Sequence, residues 1–158
     1  MARGKQAPKR HILPDPKYHS LELAKFVNYL MVSGKKTVAQ KTVYGALEVL
    51  ADKKKGEAIK LFEKVIETVR PHVEVRSRRV GGANYQVPTP VLGERGQALA
   101  FRWILAAARV RKGKSMVEKL SAEFMDILDG VGGTMKKKED THRMAEANKA
   151  FAHFARRR

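Results

Sequence analysis

The chain contains no cysteine, which excludes disulfide bonds and thiolate metal sites and favours a reducing cytoplasm as its compartment. It also has no apolar run long enough to cross a membrane, and its first ten residues lack the apolar core of a secretory signal. Acidic residues are scarce, since the chain has 16 Asp and Glu but 33 Lys and Arg, and its net charge is therefore +17. The usual partner of such a charge is nucleic acid, with an anionic membrane surface as the other candidate.

No familiar catalytic or metal-binding motif is present. The five histidines form no HExxH motif and no pair four residues apart, so the sequence predicts no metal site. Gly113-Lys114-Ser115 resembles the end of a phosphate-binding loop, but Ala108 stands where that loop needs its first glycine. We therefore predict that the protein is not an enzyme and has no cofactor and no small-molecule substrate.

Hydrophobic residues make up 43% of the 158 positions, which is too many for a purely disordered basic chain. The length fits a single domain with one modest core. Three prolines block helix formation before residue 18. We predict one domain over 1–158, with an extended basic arm (1–17), helices 1–3 (18–71), a β-ribbon (72–88), helices 4–6 (89–150) and a basic tail (151–158).

The stretch 73–88 carries the β signal of the sequence. Two short segments of alternating residues flank Gly81 and Gly82, which can adopt the positive φ of a tight hairpin turn. An isolated two-stranded ribbon is marginal in water, so it must lean on a helical body or on a ligand. The residues predicted to be exposed on the ribbon are Arg76, Arg78, Arg79, Asn84, Tyr85 and Gln86. Their guanidinium, amide and phenol groups suit a polyanion with bases that can stack.

Helical periodicity predicts six helices around this ribbon. The first is capped by Ser20 and ended by Gly34, the next three span about 37–51, 57–70 and 94–111, and the fifth begins at the capping box at Ser115 and is broken at Gly130. The sixth starts near residue 134. The second helix is predicted to bury Val38, and the fourth to bury a stripe that includes Trp103 and Val110.

Basic clusters lie in several separate segments, which favours a large folded RNA with several backbone crossings. Arg95, Arg102 and Arg109 recur every seven residues and so share one helix face. An architectural or helix-turn-helix DNA-binding protein is the alternative, although one recognition helix would need only one such cluster. An RNA-modifying enzyme is a further alternative, but it would need a catalytic constellation.

Several specific stretches of the sequence occur together over nearly the whole chain. In the N-terminal half they are Pro8–Arg10, Leu13–Pro16, Lys25–Asn28, Leu30–Met31 and Gly34–Lys36. The ribbon segment is Glu74–Pro88, and in the C-terminal half the stretches are Ala100–Trp103, Lys136–Asp140 and Arg143–His153. Together they resemble the small-subunit ribosomal protein S-seven family of bacteria, and Glu74–Pro88 looks like the hairpin of that family.

The resemblance implies a mainly α fold with a protruding ribbon, in a cytoplasmic ribosomal protein that binds the 3′ major domain of 16S rRNA and nucleates head assembly. It also implies a ribbon and C-terminal region near exit-site tRNA and mRNA, contact with ribosomal protein S-eleven, and translational autorepression in some bacteria. With the charge pattern, it nominates rRNA-binding residues Arg3, Lys5, Lys9, Arg10, Lys35, Lys36, Arg76, Arg78, Arg79, Arg95, Arg102, Arg109, Arg111, Lys112, Lys114, Lys136, Lys137 and Arg143. The residues nominated as proximal to tRNA and mRNA are Arg78, Arg79, Gly81, Gly82, Asn84 and Tyr85. An architectural nucleic-acid-binding protein outside the ribosome is the alternative function.

Overall fold

The structure, a computed structural model, describes residue 4 and residues 11–113 and 115–156. In that part of the chain, six α-helices and one two-stranded ribbon follow one another in the order α1 (Leu21–Leu30), α2 (Lys36–Lys54), α3 (Ala58–Val69), β1 (Val73–Val80), β2 (Ala83–Pro90), α4 (Gly93–Val110), α5 (Met116–Leu128) and α6 (Gly133–Ala147). A 3₁₀ helix, Lys149–Arg156, follows α6. The prediction of six helices with one hairpin is confirmed. None of the described helices is long and apolar enough to span a bilayer.

Two of the predicted helix starts are fixed by side-chain caps. Ser20 Oγ accepts a hydrogen bond from the Leu23 amide at 3.3 Å, and Ser115 Oγ accepts one from the Glu118 amide at 3.4 Å. Such a cap satisfies an amide that has no partner inside the helix. The predicted stop of α1 at Gly34 is late, because the helix already ends at Leu30.

The core of the helical body is built around four phenylalanines from four helices. Phe26 of α1 lies 5.4 Å from Phe62 of α3 and 5.2 Å from Phe101 of α4, measured between ring centroids. Phe124 of α5 lies 6.1 Å from Phe62, again edge to face. All four are at most 1% exposed. Edge-to-face pairs of this kind contribute about 0.5–1.5 kcal/mol each beyond their buried area.

The buried faces of α2 and α4 differ from the predicted ones. Val38 is 59% exposed and Val110 is 80% exposed, while Trp103 is only half-buried. The side of α4 that contacts the other helices instead carries Ala100, Phe101, Ile104, Leu105 and Ala108. Both helices carry apolar residues on more than one face, so periodicity alone did not identify the face that packs. The position of the neighbouring helices decides it.

The ribbon has the predicted turn. Val80 pairs with Ala83 across Gly81 and Gly82, whose φ angles of +59° and +92° lie in the left-handed region that glycine tolerates. The strands continue to Pro90, two residues past the predicted end. The expectation that the ribbon leans on the helical body is confirmed, because β1 contacts α6 and β2 contacts the 3₁₀ helix. Within the predicted basic tail over 151–158, the residues up to 156 belong to the 3₁₀ helix that begins at Lys149, and 157–158 lie outside the described residues.

Candidate nucleic-acid interface

The base of the ribbon is fastened to α4 by a buried carboxylate. Glu74 is 7% exposed, and its Oε2 accepts hydrogen bonds from Arg95 Nη2 at 3.0 Å and Arg95 Nε at 3.2 Å. Its Oε1 accepts from Arg76. Burial alone raises the pKa of Glu74, but the hydrogen bonds from Arg95 and Arg76 outweigh it and hold that pKa below its ordinary value. Arg95, Arg102 and Arg109 are spaced seven residues apart on α4. Of these three, only Arg95 pairs with a carboxylate among the described residues.

The tip half of the ribbon is covered on one side by the C-terminal 3₁₀ helix. The Tyr85 ring lies 5.2 Å from both Phe151 and Phe154, and Arg78 Nη1 donates a hydrogen bond to the Phe154 carbonyl oxygen at 3.2 Å. Arg78 and Tyr85 are paired across the strands and both are half-buried. The prediction that these two side chains are exposed was wrong. The same prediction is confirmed for Arg76, Arg79, Asn84 and Gln86.

A second buried carboxylate holds Arg111. Glu123 is 1% exposed, and its Oε2 accepts from Arg111 Nε at 2.8 Å, while Arg111 also contacts Asp126. The other oxygen, Oε1, accepts from the Thr134 amide at 3.1 Å and the Thr134 hydroxyl at 2.6 Å. Arg111 was nominated for rRNA, but its guanidinium is shared between two acids. Its role in this structure is to join the end of α4 to α5 and to the start of α6.

Several of the other nominated cations are exposed, and no acidic side chain in the described part of the chain pairs with them. Within residues 11–113 and 115–156, no hydrogen bond or ion pair joins the following side chains to an acid: Lys35, Lys36, Arg79, Arg102, Arg109, Lys112, Lys136 and Lys137. Arg143 is also exposed, and its Nη2 lies 2.5 Å from Asp140 Oδ1. Unpaired cations on helices and turns present their charge without first breaking an internal ion pair, which suits them to phosphate.

The structure brings two of these cations together from distant parts of the sequence. Lys35, in the turn between α1 and α2, and Arg109, in the last turn of α4, line the same surface pocket. Arg102 lies on the same face of α4 as Arg109, about 10 Å along the helix axis. The nominated residues Arg3, Lys5, Lys9, Arg10 and Lys114 lie outside the described residues.

Sequence reasoning missed the buried acids and the aromatic residues that order this surface. Asp15 is 2% exposed and accepts from the Lys17 and Tyr18 amides, each at 3.1 Å, and from the Tyr44 hydroxyl at 2.6 Å. Burial and the bond to Asp15 raise the pKa of Tyr44 to about 12. Glu74 did leave a signal, because it shares a strand face with Arg76, two residues away. For Glu123 we find no such local signal.

A mainly helical body, a projecting ribbon and a surface of unpaired cations define a strongly basic protein of the nucleic-acid-binding class. Comparison with known proteins narrows that class, since the family described as Ribosomal protein S7p/S5e matches residues 2–149. The chain belongs to this family, which confirms the resemblance noted in its sequence. It is a family of ribosomal proteins and not of enzymes.

Similar proteins of this family occur in several bacteria. A protein named small ribosomal subunit protein uS7 from Hydrogenovibrio crunogenus is 59% identical over 155 residues, which cover 98% of this chain and 99% of the relative. Proteins of the same name from Dichelobacter nodosus and Chromohalobacter salexigens are 58% and 56% identical over 154 residues, with the same shares of both chains covered. The similarity therefore extends over essentially the whole chain and includes the ribbon.

Proposed function

We propose that this protein is a structural component of the small ribosomal subunit in the bacterial cytoplasm, where it binds the 3′ major domain of 16S rRNA directly and nucleates assembly of the head. The observation that carries the proposal is the group of unpaired cations Lys35, Lys36, Arg102 and Arg109 on one region of the helical body. Lys36, Arg102 and Arg109 lie on helices and Lys35 lies in the adjoining turn, so the backbone fixes these charges before RNA arrives, which limits the ordering cost of binding. Membership of a ribosomal protein family supports the same function.

A binding titration with a transcript of the 3′ major domain tests this proposal. Each phosphate contact adds about −0.9 to the slope of log affinity against log salt concentration on duplex DNA and about −0.7 on single strands, and we expect a slope per contact of this order on folded rRNA. Replacing Arg102 and Arg109 by Gln should weaken binding and make that slope shallower by up to about 2, with an unchanged circular dichroism spectrum. Lys60→Gln is the matched control, because Lys60 is equally exposed on α3 but pairs with Glu57 and is not among the nominated residues. Affinity that does not change with salt would refute the proposal.

We further propose that the ribbon and the 3₁₀ helix act together near exit-site tRNA and mRNA. Arg79, Gly81, Gly82 and Asn84 occupy the exposed end, while Arg78 and Tyr85 are held against the C-terminal segment. The sharpest variant is Arg79→Gln with Asn84→Ala, because it leaves Tyr85 and the aromatic contacts in place. Subunits carrying it should sediment normally but retain less exit-site tRNA. Lost assembly with normal tRNA retention would instead assign the ribbon to rRNA folding.

Two further partners belong to the proposal. We propose that the C-terminal segment contacts a neighbouring ribosomal protein, for which S-eleven is the candidate, and the sequence of this segment contains three consecutive arginines. The cation surface that binds rRNA also equips the protein to repress its own messenger by binding a similar RNA fold. Competition settles this second role: excess 3′ major domain transcript should relieve repression in a cell-free translation reaction, and the Arg102→Gln, Arg109→Gln variant should repress weakly.

A further inference from the structure

The pocket shared by Lys35 and Arg109 is apolar inside. It has a volume of about 290 Å³ and lies between the end of α1, the start of α2 and the end of α4. Leu30 and Ala39, at 8% and 5% exposure, lie at its base and belong to the core. Two aliphatic side chains remain open to solvent at its edge, Val32 at 65% and Val38 at 59% exposure. An apolar pocket rimmed by polar or charged residues is the usual form of a ligand-binding site.

The charge around this pocket selects an anionic occupant. Lys35 and Arg109 are its charged residues, and no acid lines it. Three other surface pockets each include a carboxylate, namely Glu94, Glu123 and Glu146. The pocket near Glu94 is also lined by the chain's own His11 and Ile12. The Lys35–Arg109 pocket therefore combines a mostly apolar lining with charged residues that are both cationic.

A nucleotide has the matching chemistry, because its base is flat and apolar on both faces while its phosphate is anionic. Sequence-specific RNA recognition usually involves bases that have left the helical stack and can rest on protein side chains. The volume lies at the small end of the range for ligand pockets, about 300–1,000 Å³, so it suits a single base better than a larger group. Lys35 and Arg109 can then contact the phosphates on either side of that base.

We infer that this pocket receives one unstacked base of the rRNA, held between Val32 and Val38 while Lys35 and Arg109 bind the adjoining backbone. The inference rests on the proposed rRNA binding and goes beyond it, because it assigns the Lys35–Arg109 pocket contacts with a base as well as with phosphates. Aliphatic contacts of this kind contribute affinity that does not depend on counterion release. Loss of the base contact and loss of a phosphate contact therefore differ in their salt dependence.

The test compares two kinds of variant on the 3′ major domain transcript. Val32→Asn with Val38→Asn should weaken binding about tenfold and leave the salt slope unchanged. Lys35→Gln with Arg109→Gln should weaken binding and make the slope shallower. Leu92→Asn is the control, because Leu92 is 79% exposed and lies outside this pocket. Both valines are exposed, so circular dichroism should show an unchanged fold. Normal affinity in the valine variant would overturn the inference while leaving the proposed function intact.

Photocrosslinking identifies the occupant directly. A benzophenone side chain placed at position 38 should crosslink to one nucleotide of the transcript, and that nucleotide should be unpaired in its chemical-probing pattern. The same group placed at position 92 should not reach it. A crosslink from position 38 to another ribosomal protein in assembled subunits, with none to rRNA, would overturn the inference and assign the pocket to a protein side chain. Absence of any binding by the unmodified protein would instead refute the proposed function itself.

Discussion

Arg109 and Arg111 lie two residues apart at the end of α4, yet they should respond to substitution in opposite ways. Arg109 is exposed and has no acidic partner in the described chain, whereas Arg111 is shared between Glu123 and Asp126. Replacing Arg111 by Gln leaves the Glu123 carboxylate, at 1% exposure, without its cation. Arg109→Gln removes no hydrogen bond or ion pair to an acid among the described residues. We therefore expect Arg111→Gln to lower stability and Arg109→Gln to lower rRNA affinity.

The magnitude follows from the burial of the pair. Breaking a buried ion pair by removing one partner costs about 3–5 kcal/mol. The Arg111 and Asp126 side chains are 30% and 37% exposed, so water partly replaces the lost contact, and we expect about 2–3 kcal/mol. In a chain of this length that lowers the melting temperature by about 4–12 °C. Arg109→Gln should stay within about 0.5 kcal/mol of the parent protein.

Urea unfolding followed by circular dichroism measures the stability, and the transcript titration measures binding on the same samples below the unfolding transition. Adding Glu123→Gln to Arg111→Gln should recover part of the lost free energy, because it removes the unpaired buried charge. If Arg111→Gln is as stable as the parent and loses as much rRNA affinity as Arg109→Gln, our division between a structural and a binding arginine is wrong.

The remaining predictions concern the ribbon and its support. Tyr85→Ala should release the C-terminal 3₁₀ helix, so amides of residues 149–156 should exchange with solvent faster, and Phe154→Ala should couple to it by about 1 kcal/mol in a double-mutant cycle. Burial, with help from Lys138 and His72, holds the pKa of His142 below its ordinary value, so the unfolded chain binds a proton there more readily. Stability should therefore fall as pH drops from 7 towards 5.5, and His142→Gln should flatten that fall whereas His153→Gln, an exposed control, should not.

The parts of the fold that the sequence predicted are those with local causes. Ser20 and Ser115 cap helices through their own hydroxyls, and Gly81 and Gly82 take φ angles that other residues resist. Contacts between distant segments had no such local cause. Val38 and Val110 were misassigned to the core because a pattern of apolar residues does not reveal which face meets another helix. For the same reason, the sequence did not predict that Phe151 and Phe154 pack against the Tyr85 ring.

For the candidate site, the sequence identified which residues are basic but not which of them are paired with an acid. Charge counts treat every arginine alike, and only the fold distinguishes an arginine that faces solvent from one that faces a carboxylate. Lys35 and Arg109 are 74 positions apart in the sequence, so nothing local predicts that they line one pocket. Their common location depends on how α1, α2 and α4 pack, and that packing is a property of the core.

The two buried carboxylates show why a net charge of +17 does not translate directly into phosphate contacts. At Glu74, two arginines share one acid, so the ribbon base keeps a surplus positive charge and can still attract a phosphate. At Arg111 the ratio is reversed, since one arginine pairs with both Glu123 and Asp126, and the summed charge of these three groups is negative. A phosphate approaching Arg111 would be repelled by Glu123 and Asp126, because both carboxylates already pair with the Arg111 guanidinium. We therefore expect Arg76 and Arg95 to assist RNA binding through charges that also hold the ribbon in place, and Arg111 to contribute mainly to the stability of the helical body.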